Sequence, residues 1–246
     1  MPESQKIKNR PSDVVTETSE VFSSLQGEGP HLGKRQIFVR FGRCNMHCIY
    51  CDEVEKMQVG SYQDISLSAL LRRVEELERL EPGHHSVSLT GGEPLFYPRF
   101  LKVFLPELKR RGFKTYLETN GTLPEVLVKV MGDIDIVAMD IKPPSSTQDK
   151  AYWDRHKVFL SLAEKKDVFV KIVVTSCTQA EEIERSIEII HSIRSSIPLV
   201  FQPETELTGI NLQALRKIKE EYVGMCHGKL TDVRIIPQMH RIWQIP

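Results

Sequence analysis

The sequence has no hydrophobic run long enough to cross a lipid bilayer. Its longest apolar stretches, such as residues 197–201, contain only a handful of residues, whereas a transmembrane helix needs about 20. Residues 1–6 also lack the apolar core of a secretion signal. We therefore expect no membrane association, and we expect the protein to be cytoplasmic.

The sequence also lacks an excess of either charge. It contains 33 Lys and Arg residues against 33 Asp and Glu residues, so its formal net charge is zero. Proteins that hold nucleic acid through its phosphates usually present a broad basic surface. The composition therefore disfavours a nucleic-acid partner and is typical of a globular protein with 40% apolar residues.

Cysteine is scarce and unevenly distributed. There are five cysteines, an odd number, and three of them fall within the eight residues 44–51. This distribution does not suggest a disulfide framework, and clustered thiols in a reducing compartment more often bind metal or take part in catalysis. The sequence therefore predicts a metal or catalytic centre near residue 48.

From residue 35 onward, short β-branched or aromatic runs alternate with longer stretches of helical period. The alternation predicts six βα units around a parallel sheet in a single domain, residues 17–246, whereas residues 1–16 are polar, without periodicity, and predict a flexible tail. The predicted strands cover residues 36–41, 86–90, 115–118, 134–140, 168–174 and 199–202. The predicted helices cover residues 67–80, with Ser66 as N-cap, and residues 100–111, 124–131, 151–165, 179–195 and 211–222.

Six sequential βα units form an α/β fold, which can be a closed or partial barrel or an open doubly wound sheet. Both arrangements place the chemistry at the carboxyl ends of the strands. Unusual residue clusters follow five of the predicted strands, at residues 44–51, 91–94, 118–121, 140–142 and 202–203. We therefore expect one functional site at one rim of the sheet.

The spacing Cys44-x3-Cys48-x2-Cys51 places three thiolates on one short loop. Structural zinc takes four protein ligands, and His47 is available as a fourth, although its place inside the loop makes convergence awkward. A cubane iron–sulfur cluster normally takes four thiolates. With only three, one iron stays open to a substrate or cofactor, so the loop suggests catalysis more than a structural role.

The three cysteines, with Tyr50 just before the last one, resemble the signature loop of the radical S-adenosylmethionine (SAM) superfamily. The motif Gly91-Gly92-Glu93-Pro94 is similar to the second motif of that superfamily, whose backbone holds the methionine amino group. The resemblance implies a partial (β/α)6 TIM-like barrel, a fold that can have reduced helices. It also implies a [4Fe-4S] cluster and SAM as cofactors, and a 5′-deoxyadenosyl radical as the reactive species.

Two further segments narrow the resemblance. Both resemble the 7-carboxy-7-deazaguanine synthase family. One is Gln26-Gly27-Glu28-Gly29 together with Arg40, and the other is the closing segment, residues 233–246, with Pro237-Gln238-x-His240. This resemblance implies a lyase that converts 6-carboxy-5,6,7,8-tetrahydropterin to 7-carboxy-7-deazaguanine in queuosine and 7-deazapurine biosynthesis. It further implies a flavodoxin-type reductant and a homodimer.

The resemblance assigns roles to individual residues. The cluster ligands are Cys44, Cys48 and Cys51. The cofactor-binding residues are Gly92, Glu93, Glu118, Asp140, Lys142 and Gln202. The residues that face the pterin substrate are Gln26, Glu28, Arg40, Thr90, His240 and Pro246.

Two departures from the family pattern stand out. Glu53 occupies the position where a Thr or Ser hydroxyl commonly contributes to a magnesium site, and glutamate can also bind Mg2+. Asp140-Ile141-Lys142 replaces the Ser-Pro-Lys that is often found there, and Asp-x-Lys also occurs in activases of glycyl-radical enzymes. An activase-like radical SAM protein is therefore the alternative function.

Overall fold

The computed structural model describes residues 14–51, 61–206 and 209–246. Glu53, the predicted magnesium ligand, and residues 1–13 of the predicted tail lie outside these ranges. The strands are β1 Val15–Leu25, β2 Arg35–Phe41, β3 Gln63–Ser66, β4 Ser86–Gly91, β5 Thr115–Thr119, β6 Ile136–Asp140, β7 Asp167–Val174, β8 Leu199–Pro203, β9 Thr205–Glu206, β10 Gly209–Ile210 and β11 Val233–Ile235.

The helices alternate with the strands. They are α1 Leu67–Leu80, α2 Pro98–Arg110, α3 Pro124–Val130, α4 Pro144–Thr147, α5 Trp153–Ala163, α6 Ala180–Ile193, α7 Leu212–Lys217, α8 Val223–Met225 and α9 Met239–Trp243. A π-helical turn, Ile218–Tyr222, joins α7 to α8. No helix in the described ranges is long and apolar enough to span a membrane.

Nine strands form one sheet in the order β11-β8-β7-β6-β5-β4-β2-β1-β3. All pairs from β2 through β4, β5, β6, β7 and β8 to β11 are parallel, while β1 is antiparallel to both β2 and β3. The pairing within the described residues leaves β11 and β3 at the two ends, so the sheet is open. The six predicted strands are confirmed as its parallel centre.

The two faces of the parallel strands have different surroundings, and β7 shows how the sequence provides for both. Val168, Val170, Ile172 and Val174 belong to the large apolar core between the sheet and its helices. The alternate residues Phe169, Lys171 and Val173 face a cavity on the other side of the sheet. Because side chains alternate along a strand, one apolar run supplies both the core and the wall of a site.

Helix α1 forms where its period predicts. Leu67, Leu70, Leu71, Val74 and Leu77 are buried, whereas Leu80 at the end of the helix is exposed. The Ser66 hydroxyl accepts a hydrogen bond from the Ala69 backbone N–H at 3.3 Å. This contact satisfies one of the backbone donors that every helix leaves unpaired in its first turn.

The structure corrects the sequence analysis at the amino-terminal end of the domain. Strand β1 begins at Val15, inside the predicted tail, and was not predicted, nor were β3 and the short seventh parallel strand β11. The β1 sequence is half polar and mostly only half-buried. Its main stabilisation comes from pairing with β2 and β3 rather than from a recognisable apolar pattern.

Candidate active site

A cavity of about 620 Å³ opens at the carboxyl ends of the parallel strands. Its volume lies in the usual range for small-molecule sites. Every predicted site residue in the described part of the chain lines this cavity, except Glu93. The structure thus brings together residues from both ends of the chain, and their individual roles remain predictions.

The cysteine loop forms one side of the cavity, and its three thiols are free. Burial and then the nearby Glu93 raise the pKa of Cys44 to about 12. Burial likewise raises the pKa of Cys48. Both thiols are therefore protonated at neutral pH, and a metal must displace their protons when it binds.

The donor set of this loop fits an iron–sulfur cluster. No three His, Cys, Asp or Glu side chains within the described ranges converge to hold a single metal ion. A cubane needs no such convergence, because each cysteine binds a different iron. The Cys44 thiol also accepts hydrogen bonds from the Met46 backbone N–H at 3.4 Å and from Asn120 Nδ2 at 3.8 Å.

The Gly91-Gly92 turn packs directly against the cysteine loop. The Gly92 N–H donates to Phe41 O at 3.0 Å, and the Glu93 N–H donates to Arg43 O at 2.7 Å. A Cβ atom on Gly92 would lie 1.9 Å from Arg43 O. Glycine is therefore required here, because only a residue without a side chain lets the two backbones approach so closely.

Glu93 is the exception among the predicted cofactor-binding residues. Its side chain is fully buried and does not line the cavity. Its carboxylate accepts hydrogen bonds from the backbone N–H groups of Leu95 and Asn120 and from the Thr119 hydroxyl, at 2.8–3.0 Å. The side chain thus fastens the Gly92 turn to the end of β5 and does not contact a ligand in the cavity.

Burial favours the protonated form of Glu93 and raises its pKa to about 7. The hydrogen bonds that its carboxylate accepts oppose this shift but do not cancel it.

Asp140 is the last residue of β6, Lys142 follows the strand, and both lie beside the cysteine loop. Lys142 Nζ lies 2.8 Å from Asp140 Oδ2, 3.2 Å from the Tyr50 hydroxyl, and 5.1 Å from the centre of the Tyr50 ring. Asp140 Oδ1 is buried and has no hydrogen-bond partner among the described residues. An acceptor without a partner at a cavity wall suits a ligand that brings a hydroxyl donor.

Glu28 and its partners form the opposite side of the cavity. One carboxylate oxygen forms an ion pair with Lys171, and the other accepts from Gln202 Nε2 at 3.1 Å and Gln238 Nε2 at 3.2 Å. Burial alone would raise the pKa of Glu28, but the positive charges of Lys171 and His240 hold it at about 2. Glu28 is therefore an ionised acceptor at any physiological pH.

A second carboxylate organises the residues between these two sides. Glu118 accepts from Gln26 Nε2 at 2.9 Å, from the Ser88 hydroxyl at 3.2 Å and from the Thr90 hydroxyl at 2.6 Å. Since Gln26 Nε2 also donates to Gln36, its carbonyl oxygen is directed to the Glu28 N–H at 3.0 Å. Residues 26–29, the QGEG loop, are thereby fixed to side chains of β2 and β5.

Arg40 lies at the end of β2 next to an aromatic pair. Its Nε is 3.1 Å from Glu20 Oε2, and its Cζ lies 5.4 Å from the centre of the Phe22 ring. Phe22 stacks on Phe38 with ring centroids 5.2 Å apart and an angle of 12° between the rings. These two rings line the cavity and offer a flat apolar surface on which a planar ring can pack.

The carboxyl-terminal segment closes the same side. A Cβ atom on Gly27 would lie 2.5 Å from His240 Nδ1, and the Met239 N–H donates to Gly27 O at 2.9 Å. The Ser24 hydroxyl donates to Pro246 O at 3.1 Å. The tail residues are therefore packed against the QGEG loop, which explains why they line the cavity.

Sequence reasoning missed Lys171 and the Phe22–Phe38 pair. Lys171 had a signal, since it is the single charged residue in the otherwise apolar run 168–174. A charge in the middle of a buried strand needs a partner, and it often marks a site. The aromatic pair had no such signal, because its two residues lie on different strands.

The comparisons with known proteins place the chain in a class. A family model described as the radical SAM superfamily matches residues 38–173. The chain therefore belongs to the radical SAM superfamily.

Relatives narrow this assignment. The 7-carboxy-7-deazaguanine synthase of Geobacter sulfurreducens is 40% identical over 242 residues, which cover 92% of this chain and 96% of the relative. The synthase of Methanothermobacter thermautotrophicus is 35% identical over 244 residues, covering 90% and 94%. Within the superfamily, the chain thus falls in the 7-carboxy-7-deazaguanine synthase family, and the resemblance stated from its motifs is confirmed.

The crystal structure of QueE from Escherichia coli matches with a TM-score of 0.61 at 20% identity, covering 91% of this chain and 94% of that one. This structural similarity confirms the predicted α/β fold class of the radical SAM type.

Proposed function

We propose that this protein is a 7-carboxy-7-deazaguanine synthase, a carbon–nitrogen lyase that contracts the ring of 6-carboxy-5,6,7,8-tetrahydropterin with loss of ammonia. The observation that carries the proposal is the meeting of Gln26, Glu28 and His240 in the cavity that the three cysteines also line. These residues come from distant parts of the chain. Their convergence beside the cysteine loop is what a reaction between a pterin and a radical cofactor requires.

Each charged group has a chemical role toward this substrate. Glu28, held ionised by Lys171, accepts hydrogen bonds from adjacent N–H donors of the pterin. Arg40 binds the substrate carboxylate through its planar guanidinium. The Phe22–Phe38 pair packs against the flat ring and excludes water from that side of the cavity.

The other half of the cavity suits the cofactors that the superfamily implies. Cys44, Cys48 and Cys51 would hold the cluster, the backbone at Gly92 would receive the methionine group of SAM, and Asp140 Oδ1 would accept from a ribose hydroxyl. When bound, the cluster and SAM would supply the radical chemistry that removes a hydrogen atom from the substrate. The protein's own contribution is to position the two molecules and to keep water and oxygen out.

We further propose that Mg2+ orients the substrate carboxylate, with Glu53 as one ligand. A flavodoxin-type reductant, a homodimeric state and a cytoplasmic location belong to the same proposal, since they accompany this activity in the family that the motifs resemble.

The test is an anaerobic assay of the reconstituted enzyme. The protein is incubated with SAM, a chemical reductant and 6-carboxy-5,6,7,8-tetrahydropterin, with and without Mg2+, and the products are identified by mass. We expect 7-carboxy-7-deazaguanine, formed faster with Mg2+. Production of 5′-deoxyadenosine without any deazaguanine would favour the activase-like alternative, in which the natural substrate is a protein.

Glu28→Gln tests the substrate side of the cavity. The amide keeps the size of the side chain but loses the negative charge and one acceptor oxygen. Loss of a hydrogen bond to a charged group costs about 1.5–3 kcal/mol, so we expect the KM for the pterin to rise about 10- to 150-fold. The control is Glu221→Gln on the exposed surface, and an unchanged KM in Glu28→Gln would remove Glu28 from the substrate subsite.

A further inference from the structure

Lys171 is a largely buried cation in the cavity wall, with 16% of its side chain exposed, and the function proposed above gives it only a contact with Glu28. It projects from β7 between Phe169 and Val173, which line the same wall. Its Nζ forms an ion pair with Glu28 and lies 3.5 Å from Asp140 Oδ2. One side chain thus reaches the carboxylate on the substrate side and the carboxylate on the cofactor side.

The contacts of Asp140 show what this bridge does on the cofactor side. Lys142 Nζ lies 2.8 Å from Asp140 Oδ2, and Lys171 approaches the same oxygen. Because both lysines are on Oδ2, the rotation of the carboxylate is fixed, and Oδ1 is the oxygen left buried without a partner among the described residues. Lys171 therefore helps to decide which Asp140 oxygen is available to a ligand.

The substrate side shows the same pattern. Glu28 receives Lys171 on one oxygen and the amide groups of Gln202 and Gln238 on the other. Gln202 uses its N–H group for this contact, so its own carbonyl oxygen is buried without a partner within the described ranges. Asp140, which contacts Lys171, and Gln202, which contacts Glu28, thus each keep one buried oxygen without a partner within the described ranges.

Lys171 is the main reason that the carboxyl group of Glu28 is ionised. The groups that face Glu28 are Lys171 from β7, His240 from α9, the amides of Gln202 and Gln238, and the hydroxyl of Tyr116 from β5. Burial raises the pKa of Glu28, and Lys171 provides the largest opposing effect. Burial lowers the pKa of Lys171, but Glu28 and Asp140 more than offset this and raise it overall.

We propose that Lys171 is a positioning residue that couples the two halves of the cavity, because it holds Glu28 as a carboxylate toward the substrate and orients Asp140 toward the cofactor. The proposal deepens the proposed function and rests on it for the substrate half. The cofactor half depends only on the superfamily.

The main test is Lys171→Met, which keeps the length and removes the charge. In the wild type, Glu28 is ionised at any pH above about 4, two units above its pKa of about 2. Without Lys171, burial raises the pKa of Glu28. We therefore expect pterin binding that is about tenfold weaker or more at neutral pH, and that recovers as the pH rises through the new pKa.

Binding is measured by equilibrium dialysis of the pterin against the reconstituted protein over a pH series. His240 and the substrate titrate in both proteins, so the difference between the two profiles isolates Glu28. Lys171→Arg retains the charge and should restore the wild-type profile. Lys129→Met, on the exposed face of α3, is the matched control. Equal profiles for wild type and Lys171→Met would overturn the substrate half of the proposal.

A double variant covers the case in which Lys171→Met fails to fold, because Lys171→Met/Glu28→Gln leaves no unpaired charge on Glu28. Compared with Glu28→Gln alone, it should bind SAM several-fold more weakly, since Asp140 has lost one of its two lysine contacts. Equal SAM affinity in these two variants would overturn the cofactor half. If the wild type fails to bind the pterin at all, the proposed function is wrong, and the SAM comparison still decides the role of Lys171.

Discussion

Cys48→Ser is expected to abolish both iron binding and turnover. The three clustered cysteines line one cavity, and a cubane that already has one open iron cannot lose another thiolate ligand without falling apart or binding poorly. Serine keeps the shape of the side chain but is a far weaker ligand for iron than a thiolate. We expect iron and sulfide after anaerobic reconstitution to fall to background, together with the brown absorbance of the cluster.

Cys177→Ser is the matched control, because Cys177 is exposed and does not line the cavity. This variant should retain the full iron content and the wild-type rate of SAM cleavage. A Cys48→Ser protein that binds as much iron as the wild type would show that the metal centre lies elsewhere. Zinc in place of iron in the wild-type protein would instead support the structural-zinc alternative that the cysteine spacing left open.

The motifs that were readable from the sequence are those whose chemistry depends on local spacing. Three cysteines within eight residues predict a metal or catalytic centre without any knowledge of the fold, and the Gly91–Pro94 motif is similar to a superfamily motif by its residues alone. The helical period of residues 67–80 and the apolar runs of the six central strands were readable for the same reason, since each pattern is completed within one element.

Other features depend on contacts between distant segments, and no local pattern contains them. Lys171 bonds to Glu28 across 143 residues, so its charge was visible but its partner was not. Glu93 belongs to a recognisable motif, yet the sequence could not tell whether its side chain faces the cavity or the end of β5. Strand β1 is half polar, and it is ordered by pairing with β2 rather than by a pattern of its own.

Taken together, these cases separate two kinds of site residue. The residues predicted to bind the cofactors lie at the carboxyl ends of the parallel strands or directly after them, and their order along the chain follows the order of the strands. The residues predicted to face the substrate lie in the loop after β1, on β2 and β4, and in the carboxyl-terminal tail, and only the folded sheet brings them together. For this reason a metal or catalytic centre could be inferred from spacing, whereas SAM and the substrate required a family resemblance.

Gly92→Ala is expected to have an effect nearly as large as loss of a cysteine, although the residue carries no functional group. A Cβ atom would lie 1.9 Å from Arg43 O and 3.0 Å from the Cys44 backbone nitrogen. Both obstacles are backbone atoms, and the Arg43 carbonyl is held by the Glu93 N–H at 2.7 Å. The added methyl group must therefore displace the loop that carries Cys44 or break that hydrogen bond.

Overpacking of this kind typically costs about 1–3 kcal/mol of stability. Misplacement of reacting groups by about 1 Å can cost about a hundredfold in rate, so we expect at least that loss in SAM cleavage by the reconstituted protein.

Gly224→Ala in α8, where a Cβ atom would meet nothing within 4 Å, should instead be stabilised by about 0.5–1 kcal/mol. Stability is measured by denaturant unfolding of the protein without its cofactors, and SAM cleavage as 5′-deoxyadenosine formed. A Gly92→Ala variant that cleaves SAM at the wild-type rate would mean that the turn and the cysteine loop can separate without consequence. Their close backbone contact would then not be what positions the cofactor.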